Sequence, residues 1–148
     1  MTNKLNEVVI LAATRTPIGI YKGSLKDIRA DQLGSIVIRE VINRSNISKE
    51  EIDEVIMGQV LTAGMGQNPA RQASINAGLP KSIPAHIVNQ VCGSGLRSVI
   101  SGYQSLLLEE VKYVICGGQE NMSLAPHVLN YRDKKKIIRR KINRYHDL

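Results

Sequence analysis

Four apolar runs of strand length, separated by stretches long enough for helices, constrain this chain most: residues 8–13, 55–61, 85–91 and 112–116. Runs this short and continuous predict strands covered on both faces. Between them, residues 29–44 place Leu33, Ile36, Val37 and Val41 at helical spacing, with Glu40 the polar member of that stripe. Ser48 and Glu51 form a capping-box pair ahead of a short helix. Pro69 opens a helix that runs to Ala77 and is closed by Gly78, Leu79 and Pro80. After the third run, Leu96, Val99, Ile100, Tyr103, Leu106 and Leu107 make one helical stripe. Strands alternating with helices predict an α/β fold: a largely parallel sheet of about four strands with helices on both faces. Functional residues in such sheets gather beyond the carboxyl ends of strands. Cys92, the loop 62–69 and residues 117–123 all fall there.

Length and charge narrow the class. A chain of 148 residues has room for one domain, and with no Trp or Phe its core must be built mainly from Ile, Val, Leu and Ala. The net charge of +7 is not spread evenly. Residues 131–148 hold eight Lys or Arg against two Asp, a net of +6. The chain therefore divides into a nearly neutral body, 1–130, and a basic tail, 131–148. No basic stripe with interleaved aromatics lies in the body, so nucleic acid is not an expected partner. The amino-terminal apolar run is too brief to span a membrane, and no secretory pattern precedes it. The expected compartment is the cytoplasm.

The chain has two cysteines, and they read differently. Cys92 ends the third apolar run and precedes Gly93-Ser94-Gly95, where a helix begins. Unpaired N–H groups at a helix amino end favour an anion, and a cysteine there can have its pKa depressed below about 8.5. Gly93 and Gly95 leave room for a bulky thioester, and backbone amides there can face an oxyanion. By itself the same residue is also compatible with a small apolar side chain at a strand end. Cys116 lies inside the apolar run that precedes Gly117-Gly118 and reads as packing. Without C-x-x-C spacing the pair forms neither a zinc site nor a redox motif, so no metal is expected.

The segment Asn89-Gln90-Val91-Cys92-Gly93-Ser94-Gly95-Leu96 resembles the nucleophile segment of the thiolase family, which includes acetyl-CoA acetyltransferases and 3-ketoacyl-CoA thiolases. Three further segments agree in order: Arg15-Thr16-Pro17-Ile18-Gly19, Gly64 to Gln72, and Gly117-Gly118-Gln119-Glu120-Asn121-Met122-Ser123 with Pro126-His127. Together they cover residues 4 to about 129 and identify an incomplete thiolase-like N-terminal half-domain. The resemblance implies acyl transfer through a thioester on Cys92, condensing two acetyl-CoA to acetoacetyl-CoA or running the reverse thiolysis. It implies no metal or organic cofactor, with coenzyme A thioesters as substrates. The amides of Cys92 and Gly93 would serve the oxyanion. Gly64, Met65, Gly66, Gln67, Asn68 and Arg71 would belong to a loop at the dimer contact, making the full-length protein a homo-oligomer. His86 reads as a strand-end residue, His127 as part of the motif framework, and Arg15 as a loop anchor.

Two motifs that the family carries in its second half are absent: Asn-x-x-Gly-Gly-x-x-x-x-x-Gly-His-Pro, with the histidine that activates the nucleophile, and Cys-x-Gly-Gly-Gly, with the second catalytic cysteine. The chain thus holds one catalytic group of three and reads as a truncated thiolase. An inactive fragment, or an interaction module using the basic tail, is the alternative expectation.

Overall fold

The computed structural model describes residues 7–128 and 143–144. Its centre is a parallel sheet of three strands, β1 (Glu54–Gly58), β2 (Ala85–Val88) and β3 (Val114–Gly118), in the order β2-β1-β3. The registers align Gly58 with Val88 on one side and with Gly118 on the other, so all three strands end at one level. α1 (Ala30–Ser45) precedes the sheet, α2 (Pro69–Asn76) links β1 to β2, and α3 (Ser94–Leu107) links β2 to β3. The two crossovers run in opposite directions across β1. With the usual right-handed connection they lie on opposite faces of the sheet. Side chains on β1 follow: Val55 and Met57 join Ile38, Ala70, Ala73 and Ile115 in the core beneath α1 and α2, whereas Gly58 faces α3. The α/β class, the parallel sheet and the helices on both faces are as the pattern predicts.

Local signals set most element ends. The Glu51 carboxylate accepts the Ser48 amide at 3.2 Å across a 3-10 turn at Lys49–Glu51, while the Ser48 hydroxyl donates to Glu50. Asn68, left-handed at φ 43°, accepts the Arg71 amide with its side chain, and Pro69 follows as the first helical residue. Asn143–Arg144 forms a two-residue strand, β5, antiparallel to β4 (His127–Val128). The rest of the basic tail, 131–148, lies outside the described residues.

The structure corrects the pattern in two ways. The run 8–13, expected as a buried first strand, is irregular chain, with Val9 61%, Ile10 82% and Leu11 53% exposed. Strand propensity is realised only where backbone groups meet a neighbouring strand, and none of the described strands lies beside it. The sheet therefore has three strands where about four were expected. The helical stripes are also turned. α1 buries Ala30, Asp31, Gly34, Ser35 and Ile38 and leaves Ile36 exposed. α3 buries Ser94, Ser98 and Gly102, four residues apart, and points Leu96, Val99, Ile100 and Tyr103 outward. Close approach decides this. A Cβ on Gly102 would overlap the Cys116 sulfur, so only the small face of α3 fits against the sheet; a Cβ on Gly34 would overlap the Gln119 side chain, so α1 comes close there and fills the core with Ile38 one turn on.

Candidate active site

The carboxyl ends of the three strands bring the expected segments together. Cys92 sits on the turn between β2 and α3, with its thiol exposed. That turn rests backbone to backbone on the sheet. A Cβ at Gly58 would lie 2.5 Å from the Gly95 nitrogen, and one at Gly118 would lie 3.4 Å from the Gly95 Cα. Glycine is required at Gly58 because no side chain fits between strand and helix start.

The turn itself is tightly stitched. The amide of Gly93 donates to the Gln90 carbonyl at 3.0 Å and that of Ser94 to the Val91 carbonyl at 3.1 Å. The Ser94 hydroxyl accepts from the Gln90 amide at 2.8 Å and donates to the Val91 carbonyl at 2.6 Å. Asn89 accepts the Val91 amide at 3.0 Å and donates to the Val60 carbonyl at 3.3 Å. Val91 is held at φ 52°, the left-handed region that a β-branched residue adopts only under restraint. The Cys92 amide makes no hydrogen bond among the described residues. Gly93 was expected as a second oxyanion donor, but its N–H is spent on Gln90. Gly93 supplies space, and Cys92 supplies the open amide.

Around the turn, the glutamines and Glu120 lock two strand-end loops together. Gln119 donates to Gln59 at 2.8 Å in a buried side-chain pair, and Gln59 reaches the Leu61 carbonyl at 3.0 Å. One Glu120 carboxylate oxygen accepts the amides of Val60 at 2.8 Å and Leu61 at 3.2 Å. Asn121 donates to the carbonyls of Leu25 at 2.9 Å and Ile28 at 2.7 Å, fastening the chain ahead of α1. A cavity of about 320 Å³ opens between this segment and residues 16–21. Motif spacing assigns no such role to Asn89, Ser94, Gln59 or Glu120. The available signal was the density of amide and hydroxyl side chains at strand ends.

The other expected residues are placed as follows. In the loop before α2, Gly64, Gly66, Gln67 and Asn68 are exposed, while Met65 is 9% exposed. Arg71 is engaged within the chain, donating to the carbonyls of Lys81 and Ile83 at 2.5 Å each. Arg29 donates to the Met65 carbonyl at 3.2 Å and to Gln72 at 3.1 Å, tying that loop to α1. His86 is on the edge strand β2, 3.2 Å from Glu54, and His127 is in β4. Neither is in the Cys92 turn. Arg15 is exposed and donates to the adjacent Thr16 carbonyl at 3.5 Å. Cys116 is half-buried against Gly102. Burial foremost, then the Glu54 carboxylate, pushes its thiol up to about 11, partly offset by a backbone hydrogen bond at Gly102. It stays protonated near neutral pH, which leaves Cys92 as the accessible thiol.

A parallel α/β layer with a thiol on a strand-to-helix turn is a scaffold for nucleophilic chemistry at the sheet's carboxyl edge. Comparison with known proteins gives the family. Residues 8–146 match the family model described as thiolase, N-terminal domain. The chain is 52% identical over 125 residues to an acetyl-CoA acetyltransferase of Cupriavidus necator, covering 84% of this chain and 32% of that protein. It is 52% identical over 125 residues to a probable acetyl-CoA acetyltransferase of Escherichia coli, with the same coverage of 84% and 32%. A probable acetyl-CoA acyltransferase of Staphylococcus aureus is 49% identical over 126 residues, covering 85% and 32%. The chain belongs to the thiolase family, in the part that forms its N-terminal domain. It spans about a third of the length of the curated relatives it matches. No described helix is long and apolar enough to cross a membrane.

Proposed function

We propose that this chain carries the acyl-accepting half of a thiolase-type acyltransferase site, with Cys92 as the catalytic nucleophile. The observation that carries the reading is the exposed Cys92 thiol beside its own unbonded amide at the start of α3, in a chain half-identical to acetyl-CoA acetyltransferases. The Cys92 thiolate attacks the carbonyl of acetyl-CoA, and the tetrahedral oxyanion forms against the Cys92 N–H. The bond to the CoA sulfur then breaks. CoA leaves as a thiolate that takes up a proton, and the acetyl group stays on Cys92. In the second step a base removes a proton from the methyl group of another acetyl-CoA. The carbanion attacks the acetyl carbon and expels the Cys92 thiolate, giving acetoacetyl-CoA; thiolysis of a 3-ketoacyl-CoA is the reverse.

Family resemblance assigns the second step's base to a cysteine, and activation of Cys92 to a histidine, in two motifs these 148 residues do not contain. Full turnover would need those two groups in addition to Cys92. In that reading the chemistry needs no metal or organic cofactor and runs in the cytoplasm. The loop from Gly64 to Arg71 faces a second copy in a homo-oligomer, with Gly64, Gly66, Gln67 and Asn68 free to meet it.

Intact-mass analysis after incubation with acetyl-CoA tests the first step. A single added acetyl group, mapped to Cys92 and lost in Cys92→Ser, is the expected result. A folded chain that gains no acetyl group is an inactive fragment of a thiolase.

A further inference from the structure

We propose that Asn89 and Ser94 are positioning residues that hold Val91 left-handed and so aim the Cys92 amide at the developing oxyanion. The inference rests on the acyl-transfer reading above. Its starting point is strain: a β-branched residue is strongly disfavoured in the left-handed region, yet Val91 sits there at φ 52° while 63% exposed. Surface burial does not hold it. Its two backbone polar groups are held instead, the amide by Asn89 and the carbonyl by both the hydroxyl and the amide of Ser94. Ser94 is in turn buried, 4% exposed and seated against Gly58.

The consequence follows from peptide planarity. The Val91 carbonyl and the Cys92 N–H belong to one trans peptide unit, so they point in opposite directions. Two donors from Ser94 draw that carbonyl toward the helix, and the Cys92 N–H is thereby turned away from it and left without a partner. Without the Ser94 hydroxyl, Val91 can relax to an ordinary conformation and the peptide plane rotates. The thiol remains present and exposed, but its amide no longer faces the carbonyl oxygen of a bound acyl group.

Two reagents at Cys92 separate this role from a merely structural one. Acylation by p-nitrophenyl acetate builds an oxyanion and needs no recognition of CoA, whereas alkylation by iodoacetamide builds none. In folded Ser94→Ala, acylation should fall at least about tenfold, on the scale of losing one oxyanion donor, while alkylation stays within about threefold. Adding Val91→Asn, a residue at ease in the left-handed region, should restore part of the acylation rate. Asn89→Ala should reproduce the selective loss and Asn89→Asp, which keeps the acceptor for the Val91 amide, should spare it. The Asn89 pair carries the test if Ser94→Ala does not fold. Equal effects on both reagents, no effect on either, or a folded wild-type chain inert to p-nitrophenyl acetate would overturn the inference. Wild type that reacts with p-nitrophenyl acetate and not with acetyl-CoA would instead sink the acetyl-CoA reading and leave the role of Ser94 standing.

Discussion

At the scale of single residues, Gly58 and Cys116 show how the same sheet sets both the position and the silence of its groups. Gly58 has no room for a methyl group beneath the backbone of Ser94 and Gly95. Gly58→Ala should therefore lower stability by about 1–3 kcal/mol, the usual cost of overpacking, and slow acylation of Cys92; urea unfolding and mass analysis read the two effects. Cys116, held up to about 11 against an ordinary value of 9.0, makes a signed prediction. Above pH 9 the unfolded chain releases this proton while the folded chain keeps it until about pH 11, so stability falls across that window. In Cys116→Ala that part of the fall should be missing from melts taken between these pH values. A thiol label at neutral pH should mark Cys92 and leave Cys116 untouched. The place of Cys92 before a helix start was legible in local signals, a thiol, two glycines and a helical stripe, while its reading as a nucleophile came from the resemblance of residues 89–96 to the thiolase segment. Ser94 and Asn89 were not, since their partners are defined by a turn whose strain is invisible in residue order.

At the scale of elements, α3 inverts the usual expectation about apolar stripes, whereas α1 still buries Ile38 in the core. α3 sets Ser94, Ser98 and Gly102 against the sheet, and the Ser98 hydroxyl lies 2.7 Å from the Gly117 carbonyl. Leu96, the most apolar-looking position of its first turn, is 69% exposed. Leu96→Lys should therefore leave stability within about 0.5 kcal/mol, whereas Ser98→Leu should cost at least about 1–3 kcal/mol; paired urea titrations decide, and the opposite order would mean α3 is rotated. Periodicity found both helices to within a residue or two, because it depends only on spacing. It misjudged which face meets the sheet, because that depends on how closely backbones approach. Glycine and serine at four-residue intervals were the signal for that approach.

At the scale of the whole molecule, large apolar side chains remain on the described surface. Val9, Ile10, Leu11, Leu96 and Tyr103 contribute apolar area to that surface. Exposed apolar area favours association where it is contiguous. Sedimentation at rising concentration should show the chain self-associating, and lysine at Leu96 and Tyr103 together should shift it toward monomer; a monodisperse monomer with a sharp melt would contradict this. The sequence by itself determined the α/β alternation, the family and the thiol on which the proposed chemistry turns, because apolar spacing and colinear motifs are written in residue order. Tertiary structure alone decided that the run 8–13 stays outside the described sheet, that α3 turns its small face inward, and that Gly93 gives space while Cys92 keeps its amide open. Each of those outcomes is set by which backbone groups find partners across the fold, and residue order does not record that pairing.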